Sequence, residues 1–256
     1  MRLVTMTVAT TINLAIALVF TLSAATYSHA GADSWNIWDE VIQENVSAEG
    51  FVNYNAIAAT GKIDLIIELI ATTDPKSLVT TTDKLTFYIN SYNALVIKTI
   101  LDGKSPSNIF SRISFFNGPE YNVAGQSLNL NDLEHKIIRP LNEPRIHFAL
   151  VCAALSCPKL LNTIYTAPKL EEQFDTATSQ FINNIDRNHF DREKKVAHLS
   201  KIFDWFSEDF QLNGSSIPSF IAGHVNDKAL ATELLEGNYK IEHNNYYWSL
   251  NGEFED

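Results

Sequence analysis

Both cysteines of this 256-residue chain lie in one short segment, residues 145–158, with the sequence RIHFALVCAALSCP. The apolar run 146–151 predicts a short buried strand. Pro158 lacks a backbone N–H and restricts the residue before it, so the chain must leave that strand and turn. Functional groups concentrate on loops that follow buried elements. The segment therefore predicts either a chemical centre or a disulfide that closes a loop.

The N-terminus has the pattern of a secretory signal peptide. Arg2 precedes an apolar run over residues 12–22, and small residues ending at Ala30 form a cleavage site before Gly31. The run is shorter than the roughly 20 residues that span a bilayer. We expect residues 1–30 to be removed and the mature chain, 31–256, to be periplasmic or secreted without membrane insertion. An uncleaved signal anchor is the alternative.

The mature chain is strongly acidic. The full sequence has 19 lysines and arginines against 30 acidic residues. Removal of residues 1–30 takes away only the cation Arg2, which leaves 18 cations and a net charge of −12 with histidine neutral. Such a surface repels phosphates, so nucleic acid is not an expected partner. A peptide or protein of the cell envelope is the partner that we expect.

Hydrophobic periodicity predicts a helix-rich chain. The expected helices cover residues 34–45, 62–72, 82–102, 132–139, 167–182, 201–211, 216–224 and 227–236. The expected extended segments are 50–54, a hairpin of 121–123 with 127–130, and strands at 196–199 and 239–242. Strands and helices do not alternate regularly. We therefore predict a single α+β domain, helix-rich with a small, mostly antiparallel sheet.

Three polar side chains on predicted helices have two interpretations each. Asn90 and Asn93 lie mid-helix, where asparagine is a poor helix former. Their amides either bond to neighbouring loops or point into a site, as an oxyanion donor or as the group that orients a histidine. Glu134 follows Asn131 by three residues, the form of a capping box, and the alternative is a catalytic carboxylate. His135 beside it is a candidate base.

Several motifs resemble the domain-of-unknown-function 547 family. They are FYINSYNAL at 87–95, residues 127–139 with Leu133-Glu134-His135, the segment 147–158 with both cysteines, and WSLN at 248–251. The resemblance covers about residues 50–251 and indicates an exported bacterial member. It implies that Asn90, Glu134, His147 and Cys152 form one constellation, and it implies no particular reaction.

The same residues supply the parts of thiol catalysis. A cysteine nucleophile requires a thiolate and a histidine base that a carboxylate or amide orients. Cys152 would be the nucleophile of a hydrolase or acyltransferase, with Glu134 or Asn90 as the orienting group. On a strand, His147 and Cys152 would face opposite sides because they are five residues apart. His135 is therefore an equal candidate for the base.

A structural disulfide is the competing hypothesis. Two cysteines in an oxidising compartment usually pair, and a Cys152–Cys157 bridge would contribute roughly 2 kcal/mol in the chain-entropy model. The chain would then be a non-enzymatic binding or interaction module. Thiol–disulfide exchange and a zinc site with His135 or His147 are further alternatives, although the spacing matches neither usual motif. We expect no cofactor. A Cα separation above about 7 Å would exclude the bridge.

Overall fold

The structure, a computed structural model, describes residues 34–254. The signal peptide expected at residues 1–30 lies outside the described residues. Within them the chain has the expected α+β architecture, in which helices predominate and each sheet has only two or three short strands. No helix of residues 34–254 is both long and apolar enough to cross a membrane.

Eleven α-helical segments occur in the described part of the chain. They are α1 (34–45), α2 (Tyr54–Thr60), α3 (Ile63–Thr72), α4 (Thr81–Leu101), α5 (Ile109–Asn117), α6 (Leu130–Asp132), α7 (Leu170–Ile182), α8 (Ile202–Trp205), α9 (Ser207–Phe210), α10 (Ile217–Ala222) and α11 (Lys228–Leu235). A π-helix, Leu133–Ile138, continues α6, and 3₁₀ turns cover Arg139–Leu141 and Pro144–Phe148. The predicted helices at 62–72, 82–102 and 167–182 are thus confirmed to within a few residues.

The strands form three separate sheets. They are β1 (Val52–Asn53), β2 (Tyr121–Val123), β3 (Gln126–Leu128), β4 (His189–Asp191), β5 (Val196–Leu199), β6 (Lys240–His243) and β7 (Gly252–Glu253). The predicted hairpin is β2–β3, which turns at Ala124 and Gly125, both at positive φ, as type I′ turns require. Pairs β2–β3 and β4–β5 are antiparallel, whereas β1–β7 and β5–β6 are parallel. Pairing is therefore more evenly mixed than the sequence suggested.

The core consists of two hydrophobic clusters. The first surrounds α4, which is buried on nearly every side and begins with a capping box between Thr80 and Asp83. The second is formed by α7 to α11 together with β5. The segment 146–151 lies where the clusters meet, since Ile146 belongs to the first cluster and Phe148 to the second. This junction positions the candidate site.

The prediction of a strand at 146–151 was wrong, although all six residues are buried as expected. The chain instead forms the 3₁₀ turn Pro144–Phe148, which begins with a proline and is capped by the Glu143 carboxylate. The backbone that follows bonds to a side chain rather than to a neighbouring strand. Asn93 donates to the Ala149 carbonyl and accepts from the Val151 N–H, both at 3.0 Å. A short apolar run cannot by itself distinguish a buried strand from a buried irregular segment whose backbone bonds to a side chain.

The predicted capping box of Asn131 and Glu134 was also wrong. The helical turn begins two residues earlier, at Asn129, whose side chain accepts from the Asp132 N–H at 2.7 Å. The π-helix then widens the next turn. Glu134 is therefore past the first turn, and its carboxylate is available for another role. The predicted helix 201–211 is likewise divided into α8 and α9, with Phe206 at the break.

Candidate functional site

A cavity of about 290 Å³ lies at the junction of the two clusters. Its walls come from α4, α5, the π-helix, the segment 147–158, α8 and the C-terminal segment. Aromatic side chains dominate the lining: Tyr92, Phe116, Trp205, Phe206, Tyr246 and Trp248. The polar and charged lining residues are Arg112, Asn117, Asn131, Glu134, His135 and His147. Ligand sites in proteins commonly combine an apolar wall with a few polar groups in this way.

Four of the five predicted site residues meet in this cavity: Cys152, His147, His135 and Glu134. The argument that Cys152 and His147 face opposite sides does not apply, because neither residue lies on a strand. A larger cavity of about 370 Å³ lies behind the cysteine loop and shares Cys157 and Pro158 with the first. It contains none of the candidate acids or bases.

Asn90 does not line the cavity. Its amide donates to the Tyr165 carbonyl at 2.8 Å and accepts from the Tyr165 N–H at 2.9 Å. Asn93 bonds the segment 149–151 in the same two-sided manner. Each amide thus fixes a neighbouring loop. The structure therefore supports the interpretation in which these amides bond to neighbouring loops.

The two cysteines are bonded to each other in the structure, with their Cα atoms 6.0 Å apart. That separation lies within the range of disulfides. The Tyr246 hydroxyl approaches both sulfur atoms, at 3.2 Å from Cys152 and 3.3 Å from Cys157. Burial raises the pKa of Tyr246, so the hydroxyl keeps its proton. The cavity wall at this point is a bridged sulfur pair.

His147 is held by an aspartate that the sequence analysis missed. Its Nε2 lies 2.7 Å from Oδ2 of Asp209 on α9, and its ring stacks on Phe206 with centroids 3.9 Å apart. Burial lowers the pKa of His147, so the neutral imidazole donates its Nε2–H to the carboxylate. Among residues 34–254 no group hydrogen-bonds to its Nδ1. Asp209 has no motif around it, so only the folded chain identifies it.

Arg139 completes this network. Its guanidinium donates to both carboxylate oxygens of Asp209, at 2.7 and 2.8 Å, and to Nδ1 of His135 at 2.9 Å. Burial raises the pKa of Asp209, but the hydrogen bonds from His147 and Arg139 outweigh it and hold the pKa well below its ordinary value. Partial burial and the nearby guanidinium lower the pKa of His135. The aspartate is therefore ionised and both histidines are neutral near pH 7.

Glu134 is the one carboxylic acid among the described residues that line the cavity, and its pKa is raised. The Tyr92 hydroxyl donates to its Oε2 at 3.1 Å. Burial raises the pKa of Glu134 to about 7, which outweighs the opposing effects of Tyr92 and Arg139. Near neutral pH the carboxyl group therefore exists in both forms and can donate or accept a hydrogen bond. Raised carboxyl pKa values in clefts are typical of functional sites.

No group of three or more His, Cys, Asp and Glu side chains within residues 34–254 is placed to hold a metal ion.

The sequence analysis also missed helix α5, which provides Arg112 and Phe116 to the cavity. The signal for it was present, because Asn108 and Ser111 form a capping box at the start of α5.

Comparisons with known proteins agree with the resemblance seen in the motifs. The sequence model of one family, described as "Protein of unknown function, DUF547", matches residues 76–182. This range is shorter than the 50–251 inferred from the motifs; it includes Glu134, His147 and both cysteines but ends before Asp209 and Tyr246. No curated protein and no solved structure matches the chain. Over residues 76–182, the chain is thus similar to the DUF547 family.

Proposed function

We propose that this protein is a binding module whose ligand, a small molecule or the end of a peptide chain, enters the aromatic cavity. The observation that carries the proposal is the composition of the cavity wall. Six aromatic side chains line a space of about 290 Å³ in which Glu134, Arg112 and His147 provide separate polar contacts. An aromatic wall supplies the area of contact, and the few polar groups set the orientation of a ligand.

The disulfide supports binding over thiol catalysis. A nucleophilic cysteine acts as its thiolate, and a bridged sulfur has none. The bridge and the buried Tyr246 hydroxyl instead fix one wall of the cavity. A fixed wall lowers the conformational cost of ligand binding.

Two isoleucines on α5 provide a matched test. Ile109 and Ile113 are each 60% exposed and lie one turn apart, but only Ile113 lines the cavity. A set of aromatic fragments would be screened by ligand-observed NMR against the wild type, Ile113→Trp and Ile109→Trp. We expect the added indole at residue 113 to weaken fragment binding at least tenfold, with less than a twofold change at residue 109. Equal effects of the two substitutions, or no fragment binding to the wild type, would contradict the proposal.

A cysteine-dependent hydrolase or acyltransferase is the second candidate function. The specific observation in its favour is that Cys152 shares the cavity with His147, whose imidazole bonds to Asp209 outside the lining. If a reductant opened the bridge, a free Cys152 thiol would meet a neutral, carboxylate-held imidazole there. Hydrolysis of aryl esters by reduced wild type, lost in Cys152→Ala but kept in Cys157→Ala, would favour this candidate. Equal rates in the two variants would count against it.

Export is part of the proposal and rests on the sequence pattern of residues 1–30. The intact mass of the protein recovered from culture medium or a periplasmic fraction tests it directly. We expect a chain that begins at Gly31. A full-length chain held in the membrane fraction would instead indicate a signal anchor.

A further inference from the structure

Arg112 differs from every other arginine in the part of the chain that the structure describes. Arg139, Arg145 and Arg192 bond carboxylates, and Arg187 donates to the Leu155 carbonyl. Arg112 has no hydrogen bond or ion pair from its guanidinium to any residue in 34–254. It is half-buried at the cavity and lies over the Trp248 ring, 4.4 Å from the ring centroid.

This absence of an ion pair is unexpected on charge alone. The chain has 30 acidic residues and 19 basic ones, so an arginine has many potential partners. Stacking on an indole fixes the plane of a guanidinium while its N–H donors stay available. A guanidinium so positioned is suited to bind a carboxylate through two parallel hydrogen bonds.

The other polar groups of the cavity are compatible with an acidic ligand. Near neutral pH a large part of the Glu134 carboxyl groups retains the proton, which can be donated to a ligand oxygen. Asn117 and Asn131 add amides to the lining. The ionised carboxylate of Asp209 does not line the cavity and is already bonded to Arg139 and His147.

The aromatic wall determines the rest of the ligand. Trp205, Tyr246 and Trp248 pack against one another with ring centroids 4.7 to 5.9 Å apart, and Phe206 lies beside them in the lining. Flat apolar groups pack well on such surfaces. The volume of about 290 Å³ exceeds the roughly 150 Å³ of a cavity that holds one benzene ring, which suits a single aromatic ring with a short side chain.

We infer that the ligand is an aromatic carboxylate, whose carboxylate pairs with Arg112 and whose ring packs against Trp205 and Trp248. The inference rests on the proposed binding function and names the chemical class of the ligand. Two sources share this chemistry, a free aromatic acid and a peptide that ends in an aromatic residue.

The test compares ligands that differ only in charge. Phenylacetate and phenylacetamide represent the free acid, and Ala-Ala-Phe and its C-terminal amide represent a chain end. Dissociation constants would be measured by ligand-observed NMR on the oxidised protein for the wild type, Arg112→Gln and Lys104→Gln. Lys104 is an exposed cation that does not line the cavity, so its substitution controls for the loss of one positive charge.

We expect the wild type and Lys104→Gln to bind at least one carboxylate tenfold more tightly than its amide, and Arg112→Gln to lose that preference. The pair that shows the larger preference identifies the source. If the wild type binds each acid and its amide with equal affinity, and Ile113→Trp still blocks both, this inference is overturned and the proposed function stands. A preference that survives in Arg112→Gln would also overturn it. No binding of any of the four compounds, together with a failed fragment screen, would overturn both proposals.

Discussion

Nε2 of His147 and Oδ2 of Asp209 lie 2.7 Å apart, although 62 residues separate them in the sequence. The contact joins the segment at the junction of the two clusters to α9 in the second cluster. Arg139 binds the same carboxylate from the end of the π-helix. Asp209 thus joins two elements that both line the cavity, the π-helix and the segment 147–158.

Asp209→Asn should lower the free energy of unfolding by about 2 kcal/mol, because the charged guanidinium of Arg139 loses its partner. Asp204→Asn is the control, since Asp204 makes an exposed pair with Lys201 and its substitution should cost clearly less. Urea unfolding at pH 7 measures both. The folded pKa of Asp209 is depressed, so its contribution is present above the unfolded pKa and is lost as pH falls through the folded value. A cost of Asp209→Asn that does not shrink in acid would contradict the assignment.

Glu134→Gln should change how stability depends on pH. The folded pKa is about 7, whereas an unfolded glutamate titrates near 4.3. Between these values the folded protein holds the additional proton, so the free energy of unfolding falls as pH rises through this window. Glutamine has no such proton. The stability of Glu134→Gln relative to the wild type should therefore rise from pH 5 to pH 8, on the order of 1 to 2 kcal/mol after allowance for partial exposure. A relative stability that is constant across this range would exclude the raised pKa.

Substitution of either cysteine, or of both, should lower the free energy of unfolding by the same amount. Cys152→Ser, Cys157→Ser and the double variant should each lose about 2 kcal/mol in the oxidised state, because each opens the same short loop. Unfolding of the wild type with reductant present provides the reference and should give a similar loss. Single variants with different losses, or a double variant that loses the sum of both, would mean that the two sulfur atoms act independently.

Asn93→Ala should cost about 2 to 4 kcal/mol, because the Ala149 carbonyl and the Val151 N–H would both lose their partner in a buried position. Asn117→Ala is a suitable comparison, since its exposed amide bonds only to the preceding turn of its own helix. Thermal or urea unfolding distinguishes the two. A loss below 1 kcal/mol at Asn93 would show that the segment 149–151 does not depend on the amide.

The elements that the sequence predicted correctly have local signals. The periodicity of α4, the Ala124–Gly125 turn and the amphipathic pattern of α7 each depend on residues close together in the chain. The segment 146–151 shows the limit of such signals. Its apolar run predicted burial correctly and the strand wrongly, because the partner of its backbone is a side chain more than fifty residues earlier.

The candidate site was predicted in part for the same reason. Cys152, His147, His135 and Glu134 were identified by residue type and neighbouring motif, and they do line one cavity. Asp209 and Arg112 were missed because their roles come from packing: one lies on a short helix 62 residues beyond His147, and the other is defined by its stack on Trp248. The π-helix that contains Glu134 also has no signature in the sequence.

The central claim is that the cavity binds a ligand and that its wall contains a disulfide. The redox state of the cysteines tests it most directly, because a free Cys152 thiol would instead make the cavity reactive. The mature exported protein would be alkylated from pH 5 to pH 9, with and without reductant, and the adducts counted by mass spectrometry. We expect no adduct before reduction and two afterwards. Rapid alkylation of Cys152 alone without reductant, below the ordinary thiol pKa of about 8.5, would contradict the account.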